Sequence, residues 1–372
     1  MFAAICDAWP EADVFTAVYD EKGTEGRFAA RNPQASFLQK LRPTSNTFRP
    51  LLPLYPHAVE SLDLRGYDVV VSSSSAWAHG VLVDPGAIHV CYCHNPFRYA
   101  WSEREATLAA RNPLTRPALR LLLSRWRQWD WIAAQRVDAY VANSEITRTR
   151  IKRYFGREST VLHPPVELSR FSPGPVGDHY LVLAELMAHK RIDVAVRAFN
   201  ALGLPLVVVG DGPEYRRLKR LAGPTIRLTG RLSDSEVADL LRTAQALVVT
   251  AEEEFGIAAV ESLASGRPVI GLRAGGVLET VTEGVTGAFY DDADDPNALA
   301  AAVLGFDVAQ ADPQVCVRSA QRFGADRFKE RLREIVAETA ANGRRARDVE
   351  RSVGGLLPMR TSRRGAESMR SR

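Results

Sequence analysis

Short apolar runs, each followed by a stretch of helical spacing, recur along the chain. They lie at Val14–Val18, Val69–Ser72, His89–Tyr92, Ala139–Ala142, Val161–Leu162, Tyr180–Ala184, Leu206–Val209, Ile226–Thr229, Ala246–Thr250 and Val269–Leu272. Most are rich in Val and bounded by Gly, Pro, Asp or Ser. Near-continuous apolar runs of this length fit strands buried on both faces of a parallel sheet. The segments between them, such as Asp193–Ala201 and Ser235–Ala244, carry helical spacing. Ser233 with Glu236 supplies the S-x-x-E box that starts a helix. Strand and helix in alternation predict an α/β protein.

The alternation breaks once. His163-Pro164-Pro165 is followed by Phe171-Ser172-Pro173-Gly174-Pro175, with no apolar periodicity until Tyr180. Proline denies such a stretch helix and stiffens it. The expected organisation is a first α/β domain over 1–165, a linker over 166–178 and a second α/β domain over 179–343. A basic tail over 344–372 is expected to be disordered. The chain of 372 residues is long enough for two such domains.

Charge changes the picture little. The net charge of +4 and pI near 8.9 resemble those of a nucleic-acid binder. The tail from Arg344 to Arg372, however, holds nine arginines, no lysine and three acids, which leaves 39 basic against 41 acidic residues elsewhere. The folded body is therefore slightly acidic, and nucleic acid is not an expected partner. An RNA-binding arm is the sharper alternative for the tail. Cys6, Cys91, Cys93 and Cys316 are scattered, and C-x-C alone lacks the second ligand pair of a structural zinc site. A reduced, cytoplasmic protein is expected. No run of about 18 apolar residues offers a membrane span. Asp7, Glu11 and Asp13 argue against a signal peptide.

The chemistry concentrates in Glu252-Glu253-Glu254-Phe255-Gly256-Ile257-Ala258-Ala259-Val260-Glu261, followed by Ser265-Gly266-Arg267-Pro268-Val269. This stretch follows a strand and opens a helix. Glu253 falls in the loop, and Gly256-Ile257 at the helix N-terminus, where free amides and the dipole favour a phosphate. Glu261 lies a little over one turn on. A carboxylate accepts two hydrogen bonds at once, which suits the vicinal hydroxyls of a ribose. Together they fit a sugar nucleotide; the plain alternative is a capped helix with acids in its first turn.

The rest of the chain resembles the GT-B-fold retaining glycosyltransferases that carry the E-x7-E motif, family 4 or group 1. Glu253 and Glu261 have that spacing. Further motifs follow the family order: His94-Asn95-Pro96-Phe97-Arg98-Tyr99, Ala142-Asn143-Ser144, His163-Pro164-Pro165-Val166, Lys190-Arg191-Ile192-Asp193, Gly210-Asp211-Gly212-Pro213-Glu214, Gly230-Arg231-Leu232-Ser233 and Gly275-Gly276-Val277-Leu278-Glu279-Thr280. Within the family the chain is most similar to bacterial mannosyltransferases that use GDP-mannose. The resemblance implies two Rossmann-like domains facing across a cleft, with a final helix that packs back on the first.

It also implies roles. Glu261 matches the glutamate on the donor ribose, and Glu253 the one on the donor hexose. Phe255, Gly256 and Ile257 match the loop whose amides meet hexose and phosphate. Lys190 matches the lysine on the pyrophosphate, where a cation offsets charge on the leaving nucleoside diphosphate. Gly230, Arg231 and Leu232 match the segment beside the base, and His94 a first-domain histidine facing the transferred sugar. The implied reaction is hexose transfer with retention to a glycan or lipid-linked acceptor in cell-surface glycan synthesis, with neither cofactor nor metal.

Rival readings are a catalytically impaired scaffold of the same fold and a sugar-nucleotide epimerase. A dehydrogenase is less well supported, because position 215 is Tyr where G-x-G-x-x-G needs glycine.

Two departures from the family stand out. The first domain is expected to lack its first strand and glycine-rich turn, since Met1–Cys6 reads as the helix that should follow them. Glu185 stands five residues before Lys190, where relatives place a phosphate-binding arginine; Arg191 is the candidate to compensate. Finally, 111–132 interleaves Leu119, Leu121, Leu122, Leu123, Trp126, Trp129 and Trp131 with five arginines. That mixture suits contact with the anionic inner face of a cell membrane, or a helix packed on its own sheet.

Overall fold

A computed structural model describes residues 1–44 and 47–354, with side chains placed up to 343. Its first sheet has four parallel strands: β1 (Val69–Ser74), β2 (Ile88–Cys93), β3 (Ala139–Ala142) and β4 (Ser159–Val161), paired in that order. The second has six: β5 (Tyr180–Leu183), β6 (Leu206–Val209), β7 (Ile226–Gly230), β8 (Leu247–Val249), β9 (Val269–Leu272) and β10 (Gly287–Tyr290). Their order is β10-β9-β8-β5-β6-β7, all parallel. Every residue of the inner strands β2, β6 and β9 is buried, as strands covered on both faces require, whereas the edge strands β1, β4 and β7 are polar in part and partly exposed.

Ten helices matter to the site: α1 (Phe2–Ala8), α2 (Arg116–Ala134), α3 (Glu145–Phe155), α4 (Ile192–Leu202), α5 (Tyr215–Leu221), α6 (Asp234–Thr243), α7 (Ile257–Ala264), α8 (Pro296–Gly305), α9 (Pro313–Ala320) and α10 (Ala325–Gly354). The expected capping box is present: Ser233 accepts from the Glu236 amide, and the Glu236 carboxylate accepts from the Ser233 amide at 2.8 Å. Packing Phe199, Leu206 and Ile270 builds one core of the second sheet, while Leu181, Val260 and Leu263 build the other.

The linker is fastened to the second domain. Phe171 is buried in its core, and the Gly177 amide donates to the Thr243 carbonyl at 2.7 Å. The buried Arg267 donates to the carbonyls of Arg242 and Gly174, which explains an arginine in Ser265-Gly266-Arg267-Pro268. Phe328 and Leu332 of α10 pack with Ile5, Val90 and Tyr92, so the last helix lies on the first sheet. Its backbone stays helical to Gly354, beyond the 344 boundary expected for a disordered tail; residues 355–372 lie outside the described residues.

The front of the first domain departs from a continuous sheet. The run Val14–Val18 forms only Phe15–Thr16, which pairs in parallel with Gln34–Ala35 and joins neither main sheet. Between this ribbon and the free edge of β1 opens a cavity of about 1900 Å³, lined by Phe2, Ile5, Val14, Phe15, Val69 and Val70 among others. The cavity runs on past Arg98 and Tyr99 to Glu185, Met187, His189 and Lys190, so it is continuous with the cleft between the domains.

Leu123 and Trp126 of α2 are buried in the first core, whereas Leu121, Trp131 and Ile132 are exposed. Among the described residues no helix is long and apolar enough to cross a membrane.

Candidate functional site

The site forms where β8 ends and α7 begins. The loop carrying Glu253 is held from below by two glycines. Gly275 has φ +71°, and a side chain on it would stand 2.3 Å from the Glu253 carbonyl. A Cβ on Gly276 would stand 2.2 Å from the Cα of Phe255. Only without side chains can this segment close on the loop, and the Gly276 amide then donates to the Glu253 carbonyl at 2.8 Å. Phe255 is buried, stacked on His163 at 5.3 Å and set edge-on to Phe323. Gly256 (φ +81°) turns the chain into α7 in the left-handed region. Ile257, the first residue of α7, is exposed, and the N-cap Gly256 before it is buried.

Lys190 ends a short turn, Ala188–Lys190, whose carbonyl accepts from Thr250 at 2.6 Å. That bond ties the turn to the end of β8. Lys190 Nζ donates to Glu253 Oε1 at 2.9 Å, and both side chains are about a quarter exposed or less, at 22% and 26%. The expected cation and the expected hexose-facing carboxylate therefore share one spot. Glu261 lies on α7, largely withdrawn from solvent. Burial pushes its carboxyl up to about 7, with Asp234 adding to the rise and Arg170 opposing it. Arg170 itself pairs with Asp234 at 2.9 Å.

The glycines of Gly210-Asp211-Gly212 serve the neighbouring loop. A Cβ on Gly210 would meet the Ala184 carbonyl at 1.9 Å, and one on Gly212 the Leu186 carbonyl at 2.6 Å. The turn after β6 thus packs against the backbone that carries Glu185 and leads to Lys190. Glu185 is exposed at the mouth of the cavity. Arg191, left-handed at φ +52°, pairs with Asp294 before α8 and lies near Tyr290. Gly230 is left-handed at φ +76°; Arg231 after it is exposed and Leu232 packs on the core.

On the facing domain, His94 follows β2. Its Nε2 bonds to Ser73 Oγ at 2.9 Å and its carbonyl accepts from Thr147. Burial lowers its pKa to about 4, the Met1 amine assisting and Glu254 opposing. His94 is therefore neutral near pH 7.

Two acids with no sequence-derived role lie here. Glu254 accepts from Asn95 at 2.7 Å, and lies 3.3 Å from Arg98 and 3.4 Å from Arg150. Glu254 belongs to the run Glu252-Glu253-Glu254, of which the E-x7-E spacing involves only Glu253. Glu279 accepts from the Glu145 amide at 2.9 Å and from His163 Nε2 at 2.8 Å. Cys6, Cys91, Cys93 and Cys316 are free and buried. Among the described residues no group of three or more His, Cys, Asp or Glu stands close enough to hold a metal ion.

Two family descriptions match the chain in sequence. The first half matches "Glycosyltransferase Family 4" over residues 4–170, and the second "Glycosyl transferases group 1" over 178–306. The chain belongs to this glycosyltransferase family. It is 33% identical over 151 residues to a GDP-mannose-dependent α-mannosyltransferase of Corynebacterium glutamicum, covering 37% of this chain and 36% of that one. It is 30% identical over 252 residues to a D-inositol 3-phosphate glycosyltransferase of Actinosynnema mirum, covering 58% and 59%. The matches thus span about a third to three fifths of the length of these relatives. In structure, the HepE protein of Anabaena, solved with UDP and glucose, superposes with a TM-score of 0.64 at 16% identity, covering 90% of this chain and 94% of that one. The fold is the two-domain GT-B architecture, as expected, with its first sheet divided as described above.

Proposed function

We propose that this glycosyltransferase moves a hexose, mannose from GDP-mannose, with retention of configuration, to a glycan or lipid-linked acceptor of the cell surface. The observation that carries the reading is the Lys190–Glu253 contact beside the N-terminus of α7, with the half-buried Glu261 on the same helix. An ammonium has three donors, so one can stay on Glu253 while others meet phosphate oxygens. The α7 amides face the same phosphates, and both neutralise charge that grows as the nucleoside diphosphate departs. Ionised Glu261 accepts from the ribose hydroxyls. Neutral His94 offers the sugar a hydrogen bond rather than a charge. Glu253 and Glu261 hold the donor and are not an acid–nucleophile pair of the glycosidase kind. Gly230, Arg231 and Leu232 border the base. Mannose rests on the resemblance to relatives of that specificity, and the exposed Leu121, Trp131 and Ile132 of α2 would meet the inner face of the membrane where a lipid-linked acceptor lies.

The divided first sheet favours a second reading, a scaffold that retains the fold without transfer. Calorimetric titration with GDP-mannose and with UDP-sugars separates the two. Binding of a nucleotide sugar, lost in Lys190→Ala along with at least a hundredfold in transfer, is the expected result. Absence of binding by any nucleotide sugar would refute the enzyme reading.

A further inference from the structure

We infer that Glu254 is a positioning residue: it clamps the donor loop of the second domain to the His94 loop and to α3 of the first. The inference rests on the proposed donor site and extends it to a residue with no part in holding the donor.

The clamp joins the immediate neighbours of the two residues that face the transferred sugar from opposite sides. Asn95 follows His94, Glu254 follows Glu253, and their side chains hydrogen-bond at 2.7 Å. Two guanidiniums converge on the same carboxylate, Arg98 from the His94 loop and Arg150 from the middle of α3. Arg150 is only 18% exposed and also holds Glu252 at 2.7 Å, so one α3 side chain spans two acids of the donor loop. Arg98 is further shared with Glu103 at 3.5 Å. The second domain also grips the start of α3, where Glu279 accepts from the Glu145 amide. That contact gives the Gly275–Thr280 motif a second use: its glycines seat the donor loop and its glutamate seats the opposing domain.

Partly desolvated charge pairs of this kind are directional and strongly coupled to one another. They fix the separation and orientation of His94 and Glu253, on which transfer depends far more steeply than on donor affinity, because ångström displacements in the reacting geometry cost orders of magnitude in rate. Glu254 Oε1 is already engaged by Asn95, Arg98 and Arg150, so on this reading donor affinity is carried by other residues.

The test is a double-mutant cycle on Glu254→Ala and Arg150→Ala. GDP-mannose affinity is read by calorimetry, and turnover as hydrolysis, with water taking the mannosyl group and GDP leaving. Wild-type binding reports on the underlying donor reading; the cycle reports on the clamp. Expected is a loss in kcat of tenfold or more for Glu254→Ala with the GDP-mannose Kd changed less than threefold. The double variant should be no slower than Glu254→Ala by more than twofold. Glu254→Asp should recover part of the lost rate, because a carboxylate is restored. Multiplying, independent effects, or a fall in affinity with kcat unchanged, would overturn the assignment. A thermal-unfolding cycle on the same four proteins keeps the clamp testable if no donor binds: coupling between Glu254 and Arg150 is expected, and strict additivity overturns it.

Discussion

Glu261→Gln separates what the site needs from what the fold prefers. Burial holds the Glu261 carboxyl at about 7, against 4.5 for the same group in water. A folded-state pKa above the unfolded value means the native state binds the proton more tightly. Stability is therefore greatest below about pH 4.5, falls as pH rises through the window to about 7, and stays low above it. The shift corresponds to about 3 kcal/mol at most, less some relief because the side chain is not fully enclosed. Glutamine has the shape of the protonated acid and does not titrate. In urea unfolding, the Glu261→Gln protein is expected to match the wild type near pH 4.5 and to exceed it by about 1–3 kcal/mol at pH 8. Subtracting the two proteins at each pH cancels every other titrating group.

The same substitution should remove donor affinity, since an amide oxygen is a poorer acceptor for two ribose hydroxyls than a carboxylate. Binding to the wild type should tighten between pH 6 and 8 and release a proton. Calorimetry in buffers of different ionisation heat counts that proton. A variant no more stable than the wild type at pH 8 would refute the reasoning, as would donor affinity flat across that window.

Two further substitutions probe the framework. Gly276→Ala drives a methyl group into the Phe255 backbone, at 2.2 Å from its Cα. Because backbone cannot yield as a side chain does, nucleotide-sugar affinity is expected to fall by at least tenfold, by calorimetry, with the first domain's urea transition unmoved. Asp130→Ala removes a fully buried carboxylate on α2 that accepts from Trp101 at 2.6 Å and lies 3.1 Å from His79 Nε2. Leaving the half-buried Trp101 N–H without its acceptor, and the buried His79 with only Ser74 and the residue-130 carbonyl as partners, should cost about 1–3 kcal/mol of stability, seen as a lower urea midpoint.

The second domain was legible in the sequence because its strands are short Val-rich runs with two buried faces, and because punctuation such as Ser233 and Gly256 marks where helices begin. Its glycine pairs were visible as motifs, but what each glycine touches was not. Gly275 and Gly276 carry the Glu253 loop, whereas Gly210 and Gly212 carry the loop before Lys190, a division set by backbone approach rather than by local propensity. The first domain was less legible. Val14–Val18 has strand composition, yet only Phe15–Thr16 pairs, because a strand needs a neighbour and its one partner is Gln34–Ala35. Periodicity reports which faces want burial, not whether an adjoining strand exists. Glu254 escaped notice for a similar reason: its partners Asn95, Arg98 and Arg150 are more than a hundred residues away.

Magnitude settles how much Glu185 threatens the donor site. A glutamate at the position where the family resemblance implies an arginine would be prohibitive if buried against phosphate. Here the side chain is exposed at the cleft mouth, between Ala184 and the fully buried Leu186. At about 5 Å in a water-like dielectric, one such charge opposes another by about 1 kcal/mol, and ordinary salt weakens it further. Arg191, the expected compensation, pairs with the exposed Asp294, so it would face the diphosphate only through the rest of its guanidinium. On the proposed reading Lys190 and the α7 amides face the diphosphate most directly, while Arg98 across the cleft is bound to Glu254 and Glu103. A single flexible ammonium on a screened surface holds phosphate less rigidly than a lysine–arginine pair. Precise placement of the donor in this chain must then come from the loop around Phe255 and from the interdomain contacts that hold it in position.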